Sequence, residues 1–311
     1  MPIERRAITD REQWKQWRRA DITASTIGAL FGVHPYTTAL KLYVEKRGVE
    51  FPETDNEVMR RGRWLEPAVI EAVRERRPEW TLEKSNVYLR DPEKRLGATP
   101  DYSIHDVRGR GILQAKSCAP FIFERDWSPE EPPRWIVLQT LLEMLLDDAA
   151  FGVIACLIDD PFAMDLHLYD VPRNPQDEAA IIEAARKFWL DVEAGREPEA
   201  DYAKDSDAIR ALTAQVTQGK TLDASTLNHL PMLFAEHAYL MAQVKRCEAR
   251  DEEIKNQVRL AMGDAEKIIG IEGWHVTNKM VERAGYTVQP KASRQLKIYD
   301  KRPLHDRPDS T

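Results

Sequence analysis

Residues 96–116 read Leu-Gly-Ala-Thr-Pro-Asp-Tyr-Ser-Ile-His-Asp-Val-Arg-Gly-Arg-Gly-Ile-Leu-Gln-Ala-Lys. The pattern predicts two short strands about a Gly-containing turn, with Asp101 on the first and Gln114-Ala115-Lys116 on the second. Side chains along a strand alternate between faces, so positions 114 and 116 share one face, and Asp101 on the adjoining strand can join them. A carboxylate opposite an acid-x-Lys strand is one way to hold Mg²⁺ beside a phosphodiester. The carboxylates take the hard cation, and the Lys steadies the attacking water and the developing charge. Taken singly, Asp101 after Thr-Pro also fits a turn residue, and polar residues alternate on many half-buried strands. The pair is what carries the reading. One residue departs from it, because position 114 is Gln where this chemistry prefers an acid.

Working outward, the N-terminal side reads as helical pieces over 12–19, 26–31, 38–47 and 56–76, the last placing Met59, Leu65, Val69, Ile70 and Val73 inward. Strands are predicted over 85–90, 97–104 and 111–117. A helix over 132–146 starts after a double Pro, and strands at 151–158 and 164–169 follow. The run 151–158 is almost wholly apolar, as expected of a central strand. An amphipathic helix over 177–194 closes this unit. Helices, three strands, a helix, two strands and a helix give an α/β (α+β) architecture, a mixed central sheet flanked by helices. Periodicity lapses across 195–220. Beyond it, 230–262 reads as one long helix with Leu233, Leu240, Cys247, Ile254 and Ala261 spaced by seven, a seam to pair with another helix or dock on the core. A hairpin is expected near 270–281, and the tail from Lys291 is basic and Pro-dotted. The chain therefore divides into a core, 1–200, and a C-terminal helical extension, 201–311.

At 311 residues the chain is long enough for a substantial core, and its 42% apolar and 31% charged content is that of an ordinary soluble protein. No apolar run nears the ~18–20 residues that span a bilayer, so no membrane association is expected. The start, Met-Pro-Ile-Glu-Arg-Arg, has no apolar segment of a signal peptide. Cys118, Cys156 and Cys247 are too scattered for a disulfide framework or a zinc site, which points to a reducing cytoplasm. The net charge of −7 does not exclude nucleic acid, since an enzyme needs only a local basic channel. From His275 to Thr311 eight Lys/Arg stand against four Asp/Glu.

Three other residues stand out. Glu66 lies inside the run Trp64-Leu-Glu-Pro-Ala-Val-Ile70. It is either a solvated helix position or an embedded acid that needs a metal or a base as partner. Arg18 and Ser25 would place a guanidinium and a hydroxyl near a helix start, a phosphate pocket. A surface Arg and a helix cap are the plainer reading of these two residues by themselves.

Five ordered motifs over about 14–190 resemble the YqaJ-type viral recombinases, the phage-lambda-type exonuclease branch of the PD-(D/E)xK nuclease superfamily. They are Arg18-Arg-Ala-Asp-Ile-Thr-Ala-Ser25-Thr-Ile-Gly-Ala-Leu-Phe-Gly-Val-His-Pro-Tyr36, Gly62-Arg-Trp-Leu-Glu66-Pro, Ala98-Thr-Pro-Asp101, Gln114-Ala-Lys116-Ser-Cys-Ala-Pro120 and Val137-Leu-Gln139. The resemblance implies a restriction-endonuclease-like nuclease core and a Mg²⁺-dependent 5′→3′ exonuclease of double-stranded DNA ends, with Mn²⁺ as a substitute cation. It implies that Asp101, the side chain at 114 and the carbonyl of Ala115 hold the metal. Lys116 would polarise the attacking water, and Glu66 would hold water or a second metal. Gln139 would brace the site near the phosphate, and Arg18 and Ser25 would grip the 5′-phosphate. A single-strand annealing protein and a homo-oligomer are the implied partners, in the cytoplasm of a host bacterium. Gln114 leaves two alternatives beside that reading. Glu66 and Asp101 supply enough charge for cleavage, or the chain is a silenced form that binds DNA ends without cutting them. A structure-specific endonuclease on the same scaffold is a further alternative, against which a 5′-phosphate clamp speaks.

Overall fold

The computed structural model describes residues 2–51, 57–160, 162–280 and 298. The chain divides into two compact units, Met1–Gln215 and Val216–Thr311.

In the first unit, β1 (Glu4–Ala7) leads to α1 (Arg11–Ala20), whose start is capped by the Asp10 carboxylate accepting from Glu12 and Gln13 backbone N–H groups. A two-residue strand, β2 (Ile22–Thr23), precedes a 3₁₀ turn, Ile27–Phe31. The turn stands where the sequence predicts an α-helix. Gly32, in the left-handed region at φ 68°, ends it after five residues. Next come α2 (Ala39–Lys46) and α3 (Glu57–Arg76), the latter continuing through Pro67 at the loss of one helical hydrogen bond.

The strands β3 (Thr81–Lys84), β4 (Val87–Asp91), β5 (Leu96–Ala98), β6 (Tyr102–Asp106) and β7 (Gly109–Cys118) follow. A short α4 (Pro120–Asp126) and α5 (Arg134–Asp147) then cross over to β8 (Phe151–Asp159) and β9 (Met164–Pro172). The helices α6 (Pro175–Ala194) and α7 (Ser206–Leu212) complete the unit.

The main sheet has the order β3-β6-β7-β8-β9, with β7 and β8 parallel and the other pairs antiparallel. It is the mixed sheet flanked by helices that the sequence predicts. β8 lies inside the sheet, as its apolar run requires, and Phe151–Leu157 are all buried. A second sheet has the order β1-β4-β5-β2. The single strand predicted over 97–104 is in fact two, β5 in the second sheet and β6 in the first, broken at Thr99-Pro100-Asp101. Pro100 has no N–H to give a ladder, so pairing stops there. Asp101 consequently sits in the bend before β6 rather than on a strand.

Alternation along β7 assigns its two faces. Ile112 and Cys118 join the core that α5 and α6 cover, with Leu138, Leu142 and Ile181. Leu113 and Ala115 join the cluster under α3, with Val69, Ile70 and Val73. Gln114 and Lys116 share the parity of Ile112 and Cys118 and so face α5. α5 lies close on the sheet because β8 offers Gly152. A Cβ there would meet Thr140 Cγ2 at 2.6 Å and Met144 Sδ at 2.7 Å.

The second unit holds α8 (His229–Met262), 34 residues and about 51 Å long at the ~1.5 Å rise of a helix. Within the seven-spaced seam, Leu233, Leu240 and Ile254 are exposed. The hairpin expected at 270–281 is a two-residue ladder that begins earlier, β10 (Lys267–Ile268) against β11 (Val276–Thr277). The basic tail lies outside the described residues, Ile298 apart.

Candidate active site

The antiparallel ladder of β6 and β7 ends at Tyr102 opposite Leu113. Past that point the chain of β6 bends away through Asp101, whose carbonyl accepts from Ser85 N–H at 2.9 Å. The Asp101 carboxylate takes the place of the missing strand partner. Ala115 N–H donates to its Oδ2 at 3.0 Å. In a strand the N–H and C=O of one residue point to the same side, so the Ala115 carbonyl also turns toward Asp101.

A hydrogen-bond chain runs from Lys116 to Asp101, and its direction is dictated by its ends. Lys116 Nζ can only donate, and it meets Gln139 Oε1 of α5 at 3.4 Å. The Gln139 Nε2 group therefore faces the other way, donating to Gln114 Oε1 at 2.7 Å and to Glu143 Oε1 at 3.0 Å. Gln114 Nε2 in turn donates to Asp101 Oδ2. Gln114, only 2% exposed, thus presents its amide nitrogen to Asp101 and its oxygen to Gln139. Four of the residues singled out in the sequence, Asp101, Gln114, Lys116 and Gln139, are brought into one network.

Glu143 is an addition that the sequence reading missed. It is 1% exposed, and its Oε2 has no hydrogen-bond partner among the described residues. Burial and then the negative charge of Asp101 push its carboxyl up to about 8. Burial likewise pushes Asp101 up to about 6, against the opposing pull of Lys116. A signal for Glu143 exists in the sequence, an acid four residues after Gln139 in the apolar run Leu141-Leu142-Glu143-Met144-Leu145.

Glu66 meets a base. Lys84 Nζ of β3 lies 3.0 Å from its Oε1, and that hydrogen bond raises the Lys84 pKa. Its charge still reaches Asp101, where it opposes ionisation.

Arg18 and Ser25 meet, with Arg18 Nη2 donating to Ser25 Oγ at 2.9 Å. β2 runs parallel to β5, pairing Ile22 with Leu96 and Thr23 with Gly97, so the chain leaves both strands at the same end. That delivers Ser25 to the level of Thr99. Trp14 Nε1 donates to Thr99 Oγ1 at 3.1 Å, and the Arg18 guanidinium lies 4.6 Å from the Trp14 ring centre. His34 fastens the other side. Its Nδ1 accepts from Tyr36 and Thr37 N–H, both at 3.1 Å, which leaves the proton on Nε2 to donate to the Ser25 carbonyl at 3.0 Å. The His34 ring packs 5.2 Å from Trp135, over which Lys116 Nζ sits at 5.5 Å. The guanidinium–hydroxyl pair and the Lys116 network are therefore neighbours.

Residues 13–146 match the YqaJ-like viral recombinase domain. Over this stretch the chain is similar to that family. A relative from Bacillus subtilis (strain 168), described as "Uncharacterized protein YqaJ", is 24% identical over 263 residues, covering 82% of this chain and 79% of its own. The fold is shared with an alkaline exonuclease, LHK-Exo from Laribacter hongkongensis. Its complex with dAMP superposes with a TM-score of 0.50 at 20% identity, over 64% of this chain and 98% of that one. A phage-related exonuclease from Haemophilus somnus 129PT is more distant, with a TM-score of 0.40 at 15% identity over 56% of this chain and 96% of its own. All five sequence motifs fall within the YqaJ-like region. No described helix is long and apolar enough to cross a membrane.

The donor set fits a hard dication on its chemistry. Mg²⁺ is commonly held by one or two carboxylates, with waters and substrate phosphate completing its shell. Asp101 and the Ala115 carbonyl converge here, two carboxyls are held above their ordinary pKa, and one buried carboxylate oxygen is orphaned. That is a surplus of acid suited to a cation. Among the described residues no three His, Cys, Asp or Glu side chains gather around one point, so a metal here relies on backbone and water as well.

Proposed function

We propose that this chain is a Mg²⁺-dependent deoxyribonuclease, an exonuclease that degrades double-stranded DNA from 5′ ends and exposes 3′ single strands for phage-type recombination. The observation that carries this reading is the convergence of Asp101 and Lys116 on one hydrogen-bond chain, beside the Arg18–Ser25 pair. The YqaJ-like domain and the fold shared with an alkaline exonuclease support it.

Asp101 and the Ala115 carbonyl would hold the cation, with Glu66 at the margin. Gln114 Oε1 joins them only by leaving Gln139. Bound there, Mg²⁺ supplies charge for the scissile phosphate and a water of lowered pKa, and Mn²⁺ suits the same oxygen donors. The chain's own groups do the rest. Lys116, partly exposed, orients the attacking water and offsets charge as it builds on the phosphoryl oxygens. Gln139 fixes the Lys116 ammonium. Arg18 and Ser25 grip a terminal 5′-phosphate, the guanidinium by charge-assisted hydrogen bonds, and so set the polarity. A single-strand annealing protein takes the product strand, and α8 with the basic tail serves assembly of a homo-oligomer on DNA. Deleting residues after Gly219 tests that last role. Unchanged oligomeric state and DNA affinity exclude it.

The second reading, a DNA-end-binding protein that does not cut, is favoured by one observation. Gln114 offers a donor, not an acceptor, to Asp101. Digestion of linear 5′-phosphorylated duplex with Mg²⁺ decides between them, with Gln114→Glu and Lys116→Ala run alongside and closed circular DNA as control. Cleavage of the linear duplex by this chain but not by Lys116→Ala supports the exonuclease. Cleavage by Gln114→Glu alone identifies a silenced site. Cleavage of the circle indicates an endonuclease. Arg18→Ala should lower the preference for 5′-phosphate over 5′-hydroxyl ends about tenfold, as expected for one charge-assisted contact.

A further inference from the structure

A site that holds a divalent cation beside a phosphodiester needs negative charge, and position 114 gives none. The hydrogen-bond chain also turns the Gln114 oxygen toward Gln139, where the amide nitrogen of Gln139 occupies it at 2.7 Å. Gln139 Nε2 has a second acceptor, Glu143 Oε1, at 3.0 Å. One amide group thus ties Gln114 to Glu143, and Glu143 is a carboxylate where Gln114 is not.

Nothing structural requires an acid there. Glu143 is 1% exposed and flanked along α5 by Leu141, Leu142 and Met144, all buried. A neutral amide hydrogen-bonds its Oε1, and Oε2 has no partner among the described residues. Burying a carboxylate with an unpaired oxygen costs stability, and a half-satisfied polar network is worse than an apolar one. Asp147, one turn further along α5, shows how this fold treats an acid kept for structure. Its Oδ2, like Glu143 Oε2, has no hydrogen-bond partner among the described residues. Both its oxygens nevertheless face a base, Oδ1 ion-paired with Arg5 at 2.8 Å and Oδ2 with Arg110 at 2.7 Å. Glu143 has no such base among the described residues, and Lys116, the cation whose charge acts on it, is engaged with Gln139.

We propose that Glu143 supplies from α5 the second negative charge of the metal site that position 114 does not supply from β7, while Gln114 serves as the amide link between Asp101 and Gln139. The inference rests on the metal-dependent reading given above. It makes the site functional as it stands, with two carboxylates delivered by a bend and a helix.

The test is Mn²⁺ binding to the full-length chain without DNA, followed by electron paramagnetic resonance and calorimetry. Glu143→Gln, nearly isosteric and neutral, should weaken binding about 10–100-fold, the size of effect seen when groups supporting a metal site are changed. The double variant Gln114→Glu/Glu143→Gln returns the charge to the strand and should restore affinity to within about threefold. In metal-free protein at about pH 9, where the Glu143 carboxyl is ionised, Glu143→Gln should melt higher than the parent, because a buried charge is gone. Unchanged Mn²⁺ affinity in Glu143→Gln overturns the inference and leaves the nuclease reading intact. A loss that the double variant does not restore overturns it too, since the loss then came from packing and not from charge. If the parent chain binds no Mn²⁺ at all, the metal-dependent reading fails, and the inference with it.

Discussion

Two helices flank the sheet, and each carries an acid inside an apolar run, Glu66 in α3 and Glu143 in α5. As local sequence they are alike. In the folded chain they part company. Glu66 is a quarter exposed and reaches Lys84 at the end of an edge strand. Glu143 is closed in, with a glutamine for a partner and a carboxylate oxygen left over. An acid near an edge strand can be neutralised by any lysine the edge offers. An acid over the middle of a sheet takes what the opposing strand presents, and there β7 presents Gln114 and Lys116.

Four experiments probe that contrast. The largest effect belongs to Lys116→Ala, which removes the cation that α5 and β7 share. The digestion rate of linear duplex should fall about 10²–10³-fold, as for loss of one preorganised donor. Gln139→Leu cuts the chain between Lys116 and Gln114 and strands Glu143. We expect a loss of about 10–100-fold in single-turnover cleavage with binding of the duplex retained. An unchanged cleavage rate would detach α5 from the chemistry.

The third experiment reads stability against pH in metal-free protein. The Glu143 carboxyl lies at about 8 in the folded chain, above its ordinary 4.5, so the folded state binds its proton more tightly than the unfolded state does. The stability this contributes is complete below about pH 4.5 and is lost as pH rises through about 8. Asp101, Lys116 and Asp147 act on the same carboxyl, the two acids raising its pKa and the Lys lowering it. The melting temperature should therefore fall between about pH 5 and pH 9, and the fall should be shallower in Glu143→Gln. Equal slopes in the two proteins would show that Glu143 does not titrate there.

The smallest effect is on α3. Lys84→Met removes the partner of Glu66, a half-exposed pair that contributes about 0.2–1 kcal/mol. Urea unfolding should shift by no more than that. A larger loss would mean that Lys84 also holds Asp101, whose ionisation its charge favours.

The motif residues are legible in the sequence because each is an anomaly of type. Gln114 and Lys116 interrupt the strand face that also carries Ile112 and Cys118, Asp101 follows Thr-Pro, and Gln139 begins a polar interruption of an apolar helix. By the same rule Glu143 is as visible as Glu66, and periodicity alone gives no ground to rank one above the other. The split of 97–104 into β5 and β6 is signalled by Pro100. That the two halves join different sheets is not, since strand pairing depends on partners distant in the chain. β2 makes the point most sharply. Two residues long, it has no periodicity to read, yet its parallel pairing with β5 carries Ser25, and Arg18 bonded to it, to the end of β5 from which the chain runs on to Thr99.

The longer helices, the apolar inner strand, the face shared by Gln114 and Lys116, and the residue types available for chemistry were all set locally in the sequence. They follow from periodicity and side-chain chemistry, which need no knowledge of the rest of the chain. Which acid met a base, and which was left without one, was settled by the packed fold alone. So was the direction of the amide chain from Lys116 to Asp101. Those outcomes depend on what lies across the sheet from each group. Burial, which makes an unpaired charge costly, exists only once the sheet and its helices have closed on one another.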